Sequence, residues 1–372
     1  MTRCNQSCAA QGRAPGRDGE AMALPLLNKR LFTLASSDNA CFLGEVTRSS
    51  VGTAALTIHA RTDTPITSEV AAPRLLSTLN NLRGEVSLAV PLHFLEIVTI
   101  ALPAMPDGAV GKALPYHLAK AVNRPLSDFI YDWQIVERHR DRLQVTVYLF
   151  PAAQFQVLRS EFARKHLDIK YLEADVFAAF SLLARENRLR PDTATLCALI
   201  WKNSLSLAVY EKSLLTLVRT VSATQPQGTP AHNKNDQPTT PHEGPSLTAL
   251  DHHLDSGEVD SLLAGFDILS GADSAQRAAA AINTAPVDTT WADYLQHIGL
   301  EIMRTRDYYA SVVKGGAIKR AVVGGAESFW QELQRWGRTS LELELESLTT
   351  LPETADCPPM LQAISIGTGT RG

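Results

Sequence analysis

The chain has 372 residues, of which 45% are apolar and 20% charged, with a formal net charge of −4. That length is enough for two lobes, and the composition is that of a soluble globular protein. The weak acidity excludes a global basic field for nucleic acid or an anionic membrane surface. Five cysteines, Cys4, Cys8, Cys41, Cys197 and Cys357, are too few and too scattered for a disulfide framework.

Residues 1–28 carry arginines but no apolar core for a signal peptide, so a flexible extension is expected, with Met22 as an alternative start. Leu31 to Leu34 and Cys41 to Val46 read as short strands, joined by the turn residues Ser36, Ser37, Asp38 and Asn39. Ala54 to His59 completes a three-strand meander, and a polar, helix-forming stretch follows. Val86 to Met105 is the most apolar run, but Pro91, His93, Glu96 and Pro103 divide it, which favours two buried strands over a membrane span. Asp107 to Val122 is helix-like, with Pro115 expected to interrupt it, and Asn123-Arg124-Pro125 closes it. Leu143 to Phe150 alternates as a strand. Phe155, Leu158, Phe162 and His166 have helical spacing. Asp168 to Leu172 reads as a strand, and Val176 to Arg185 as an apolar core helix.

The pattern then restarts. Thr195–Trp201, Leu205–Tyr210 and Leu214–Val221 form a second meander, and this repetition predicts two lobes on related plans. Ser222 to Gly257 is rich in Pro, Thr, Gln, Asn and His, a composition that cannot offset its own ordering entropy, so a disordered insertion is expected. His252-His253 within it reads as solvated. Val259–Phe266 and Ala275–Ile282 are helix-like, and Trp291 to Ser311 is a long helix on which Glu301 and Arg304 are expected to pair at the surface. Ile318 to Val323 is a buried strand that stops at Gly324-Gly325-Ala326. Glu327 to Trp336 is a helix, Leu341 to Leu345 a closing strand, and Ile364 to Gly369 a last turn or short helix.

Motifs for catalysis are thin. There is no GxSxG elbow, HExxH or CxxC, and no histidine–cysteine cluster that would hold a metal. The strand that stops at Gly324-Gly325 before a helix is the one glycine turn with the geometry for an anion. A tight turn with no ligand gives the same sequence.

The order of these parts resembles the actin-like ATPase superfamily, and within it the PilM family of type IV pilus assembly proteins. The resemblance runs from about Leu31 to Gly369. It is carried by EVSLAVP and FLEIVTIALP, by NRPLSDFIYDWQIV with Pro125 and Asp132-Trp133, by the block from Leu143 to Asp175, by EIMRTRDYY from Glu301 to Tyr309, and by VVGGAESF. It implies an α/β, ribonuclease H-like, two-lobed fold. The first lobe is expected over 29–192 with a small subdomain inserted at about 91–167, and the second over 193–372 with the 222–257 insertion. It also implies a nucleotide cleft, whose vestige falls on Ser36, Ser37, Gly324, Gly325 and Ala326. The family's phosphate loops carry acids and glycines. Here Ala35 falls near the first acid, Ser37 near the glycine and Phe42 near the lysine, and CALIWKNS, Cys197 to Ser204, puts the bulky Trp201 where Asp-Ile-Gly is usual. Without those groups to organise magnesium and admit phosphates, a pseudo-ATPase is expected, with no cofactor. The resemblance further implies a cytoplasmic scaffold, recruited to the inner membrane by other platform proteins. Its main partner would be a PilN-like protein, whose tail is held near Phe94, Tyr171 and Phe177. A switched or active actin-like ATPase or kinase, and a component like the type II secretion L protein, are the alternatives.

Overall fold

The computed structural model describes residues 30–48, 54–79, 82–190, 192–212, 214–226, 290–349 and 357–369. The expectations for residues 1–28, for Val259–Phe266, Ala275–Ile282 and His252-His253, and for most of the 222–257 insertion lie outside them.

The first sheet is ordered β3-β2-β1-β4-β8, from β1 (Leu31–Ser36), β2 (Cys41–Arg48), β3 (Ala54–Thr62), β4 (Gly84–Val90) and β8 (Leu167–Ala174). β1 pairs antiparallel with β2 and parallel with β4, and β4 parallel with β8. The second sheet repeats this plan as β11-β10-β9-β12-β13, from β9 (Ala194–Ile200), β10 (Ser204–Glu211), β11 (Leu214–Ser222), β12 (Ile318–Gly324) and β13 (Glu344–Ser347). Strand directions match as well: β9 is antiparallel to β10 and parallel to β12. The central strands are covered on both faces, so they read as continuous apolar runs; every residue of Ala194–Ile200 is buried.

Between β4 and β8 the chain builds a third sheet, β5-β7-β6, from β5 (Glu96–Pro103), β6 (Phe129–Arg138) and β7 (Arg142–Pro151). Its outer face is covered by α2 (Asp107–Val122), whose stripe Val110, Leu114, Leu118 and Val122 packs on Leu143, Val145, Val147 and Leu149. This packing explains why Pro115 does not break the helix. The one lost backbone bond is outweighed by a buried face, and α2 ends instead at Asn123, in the left-handed region at φ 52°. β6 was not foreseen as a strand. α1 (Ala71–Ser77), α3 (Ala152–Arg164) and α4 (Asp175–Arg185) complete this half.

Other expectations shift. The first residues of the 222–257 segment are held in place: Ser222 ends β11, Ala223 is buried, and the Ala223 and Gln225 amides donate to the Asn203 and Lys202 carbonyls. α5 (Trp291–Ser311) opens with Thr290 and Asp293 in a reciprocal cap. Its Glu301 is no surface residue: it is 3% exposed and pairs with Arg219 on β11 at 2.7 Å as well as with Arg304 at 2.6 Å. A 3-10 turn precedes α6 (Trp330–Trp336), and a π-helical turn at Gly337–Leu341 delays the last strand to Glu344. Finally, α7 (Pro359–Gly369) is buried all round and lies along β1 to β4 and against α4. An apolar helix must be covered on every side, and α7 finds that cover on the first sheet and α4 although it follows the second sheet in the chain. α4 and α7 sit between the two sheets, within one apolar core that includes residues of both halves. The link between the halves is pinned by Arg188, which donates to the Leu348 and Ser347 carbonyls at 2.7 and 2.5 Å.

Candidate functional site

Two places answer to the sequence expectations. The first is where the β1–β2 and β9–β10 hairpin tips meet. The first tip is closed on itself: the Ser37 amide donates to the Ala40 carbonyl, the Ser36 hydroxyl accepts from the Ile66 amide, and the Ser37 hydroxyl accepts from the Ala40 amide. Both serines are buried, and their hydroxyls are engaged by the turn itself and by the Ile66 amide. The second tip is closed by the Trp201 amide on the Ser204 carbonyl at 2.8 Å.

The tips bind one another directly. The Asp38 carboxylate accepts the Asn203 amide at 2.7 Å, and its other oxygen lies 3.2 Å from His93 Nε2. His93 Nδ1 is 2.9 Å from the Ser204 hydroxyl. Below the tips, Asp175 at the start of α4 is fully buried and accepts from the Trp201 indole at 2.7 Å, the Ser206 hydroxyl at 2.8 Å and the Val176 amide. Burial pushes the Asp175 carboxyl up to about 6, against the pull of these donors. Burial likewise raises Asp38 and lowers His93, each opposed by the charge of the other.

Gly324, Gly325 and Ala326 end β12 beside this junction. Gly325 has φ 82°, and a Cβ there would stand 2.1 Å from the Ile200 carbonyl oxygen and 3.0 Å from Met360. Glycine is required here because the chain's own backbone approaches closely. The stretch from Ile200 to Asn203 thus lies between the two predicted halves of the cleft, against Gly325 at one end and Asp38 at the other. These residues do not fit a triphosphate. A carboxylate already takes the amide of the second tip, and Trp201, 3% exposed, fills the space beneath it. Replacing Gly325 with alanine should lower stability by about 2 kcal/mol or more, read by chemical unfolding, since both the left-handed backbone and the Ile200 contact oppose a side chain.

The second place is a groove between β6 and β8. Each is an edge strand, of the small sheet and of the first sheet respectively. The groove holds a pocket of about 80 Å³ whose wall includes Ile130, Asp132, Tyr148, Leu172, Glu173 and Phe177. Asp132 pairs in register with Tyr148, so both project from the same face, and Tyr148 meets Phe177 edge-on at 5.2 Å. Of the three predicted partner contacts, Phe177 lines this pocket. Tyr171 stands on β8 at 40% exposure, outside the wall. Phe94 lies in the 3-10 turn Leu92–Phe94, its ring centroid 4.3 Å from that of His93, and is not part of this wall. Sequence reasoning missed Asp132, Tyr148 and Glu173. The signal for the first was the alternation of Ile130, Asp132 and Gln134 with Tyr131, Trp133 and Ile135.

No protein-family model matches the sequence, and no curated protein does. Among solved structures, the chain matches a PilM–PilN type IV pilus biogenesis complex at 15% identity, covering 92% of this chain and 98% of that one, with a TM-score of 0.57. The chain has the actin-like fold. Two looser matches add nothing to that argument. One is a Bacteroides thetaiotaomicron protein with an actin-like ATPase fold, at 6% identity, 90% and 95% coverage and a TM-score of 0.44. The other is the cytoplasmic domain of EpsL, an inner-membrane component of the type II secretion system of Vibrio cholerae, at 15% identity, 52% and 71% coverage and a TM-score of 0.35. The two five-stranded sheets share one strand order, and the β5-β7-β6 sheet is inserted in the chain between β4 and β8. Among the described residues no helix is long and apolar enough to cross a membrane, and no group of His, Cys, Asp or Glu could hold a metal.

Proposed function

We propose that this chain is an actin-like scaffold of a type IV pilus or related secretion platform. It holds the cytoplasmic tail of a PilN-like inner-membrane partner in the β6–β8 groove, is peripheral to the membrane through that partner, and does not hydrolyse ATP. The observation that carries this reading is the groove itself: two sheet edges face it, and an apolar pocket opens between them. An extended tail can bond to strand edges through its backbone while alternate side chains enter pockets. The fold shared with the PilM–PilN structure supports it. The hairpin junction supports the absence of hydrolysis, because protein groups stand where phosphates would need donors.

Calorimetry with a synthetic tail of about ten residues from the PilN-like partner tests the first part. Binding of about micromolar strength is expected, since a short flexible peptide loses ordering entropy on docking. No heat of binding would remove the scaffold reading. A parallel assay should show no magnesium-dependent phosphate release above a blank. Robust magnesium-dependent turnover by the purified chain would instead make it an enzyme.

A further inference from the structure

The pocket in the groove has an unusual wall. Most of it is apolar, with Leu95, Ile130, Phe150, Leu172 and Phe177 among its residues. Two carboxylates join them from opposite sides: Asp132 from β6 and Glu173 from β8. No lysine or arginine of the described residues lines it. Gln134, the remaining polar amide, is engaged with the Tyr148 hydroxyl at 2.9 Å and the Leu215 carbonyl at 3.3 Å.

We propose that this pocket selects for a cationic side chain, lysine or arginine, at one position of the extended tail that the groove holds. The inference rests on the groove reading above and adds the chemistry that distinguishes one tail from another. The apolar wall suits the methylene stem of such a side chain, and the two carboxylates suit its head. A volume of about 80 Å³ is several times the roughly 10–15 Å³ that one water needs, so a side chain can enter. Burial raises the Asp132 carboxyl, against the pull of the Trp133 amide that donates to it at 2.9 Å. A cation brought beside the two carboxylates by a partner meets no lysine or arginine of the described wall. Glutamate at the same tail position would be repelled, so the pocket selects against acidic tails as well as for basic ones.

The test uses the full chain and a set of ten-residue peptides with apolar residues at alternate positions. One central position carries arginine, lysine, citrulline, glutamine or glutamate, and binding is read by fluorescence anisotropy at low and high salt. Arginine and lysine peptides should bind at least about tenfold tighter than the citrulline and glutamine peptides. The difference should narrow at high salt, because part of it is a charge interaction that ions screen. In Asp132→Asn the preference should fall to about threefold or less, and a preference that stays at about tenfold overturns the role given to Asp132. That variant needs no change at the more buried Glu173. Equal binding of the arginine and citrulline peptides overturns this inference and leaves the groove reading standing. Failure of every peptide in the set, with the partner's tail still binding, overturns it as well. Failure of both peptides and tail removes the groove.

Discussion

Replacing Asp175 with alanine should destabilise the chain by about 3 kcal/mol or more, seen as a lower denaturant midpoint at unchanged slope. Three donors converge on this one fully buried carboxyl: the Trp201 indole, the Ser206 hydroxyl and the Val176 amide. Each would be left buried without its acceptor, and each orphan costs about 1–3 kcal/mol. Two of the three come from the second lobe, so the loss should also loosen the lobes from one another. Protection of the β9–β10 amides in hydrogen exchange should fall in step.

The same carboxyl sets a pH dependence of definite sign. Its folded value of about 6 lies above the ordinary value of 3.8, so between those pH values the folded state holds a proton that the unfolded state has released. Stability from this group therefore falls as pH rises through that window, by an amount on the order of 3 kcal/mol for a shift of about two units. Burial raises Asp38 in the same direction, whereas the lowered His93 acts oppositely. Comparing the wild type with Asp175→Asn isolates the one term. The stability of the variant relative to wild type should rise from pH 4 to pH 7. A flat difference would mean that the donors hold Asp175 ionised throughout.

Filling the groove should abolish capture of the tail. Leu172 is half-buried on β8 and lines the pocket opposite β6. Leu172→Trp adds more volume than the space of about 80 Å³ can share with an incoming side chain, so affinity for the partner's tail should fall at least about a hundredfold. Tyr171→Ser, one residue away but exposed and outside the wall, should change it by less than about threefold. Circular dichroism and the melting temperature of both variants separate lost binding from lost folding. Unchanged affinity in Leu172→Trp would move the partner elsewhere. Strong loss in Tyr171→Ser would extend the contact along the outer face of β8.

Much of the fold was legible because its central strands are buried on both faces. Runs such as ATLCALI and SLSLAVY can be little else, and their repetition announced two lobes. The errors have one common cause. Pro115 stays inside a helix, Phe129–Arg138 is a strand, and Glu301 is buried, each because a distant element covers it; covering partners leave no mark on local spacing. α7 illustrates this best. The stretch ending ISIGTG reads as a turn or short helix at the end of the second lobe, yet it is an eleven-residue helix buried against the first.

The site divides in the same way. The sequence by itself determined the identities in the two hairpins, Ala35 and Ser37 in the first and Trp201 in the second, where the resemblance leads one to expect acids and glycines. It marked Gly324-Gly325 as a glycine turn between a strand and a helix, but not the left-handed backbone or the Ile200 carbonyl that make glycine necessary at Gly325. Tertiary structure alone decided that the hairpin tips bind each other through Asp38, His93 and Asn203, residues 38, 93 and 203 of the chain. It alone decided that Asp132 and Glu173 face one pocket from different sheets. The physical reason is range. Backbone periodicity is set by neighbours a few residues apart, whereas a buried charge and a groove between two edges exist only once distant strands are packed together.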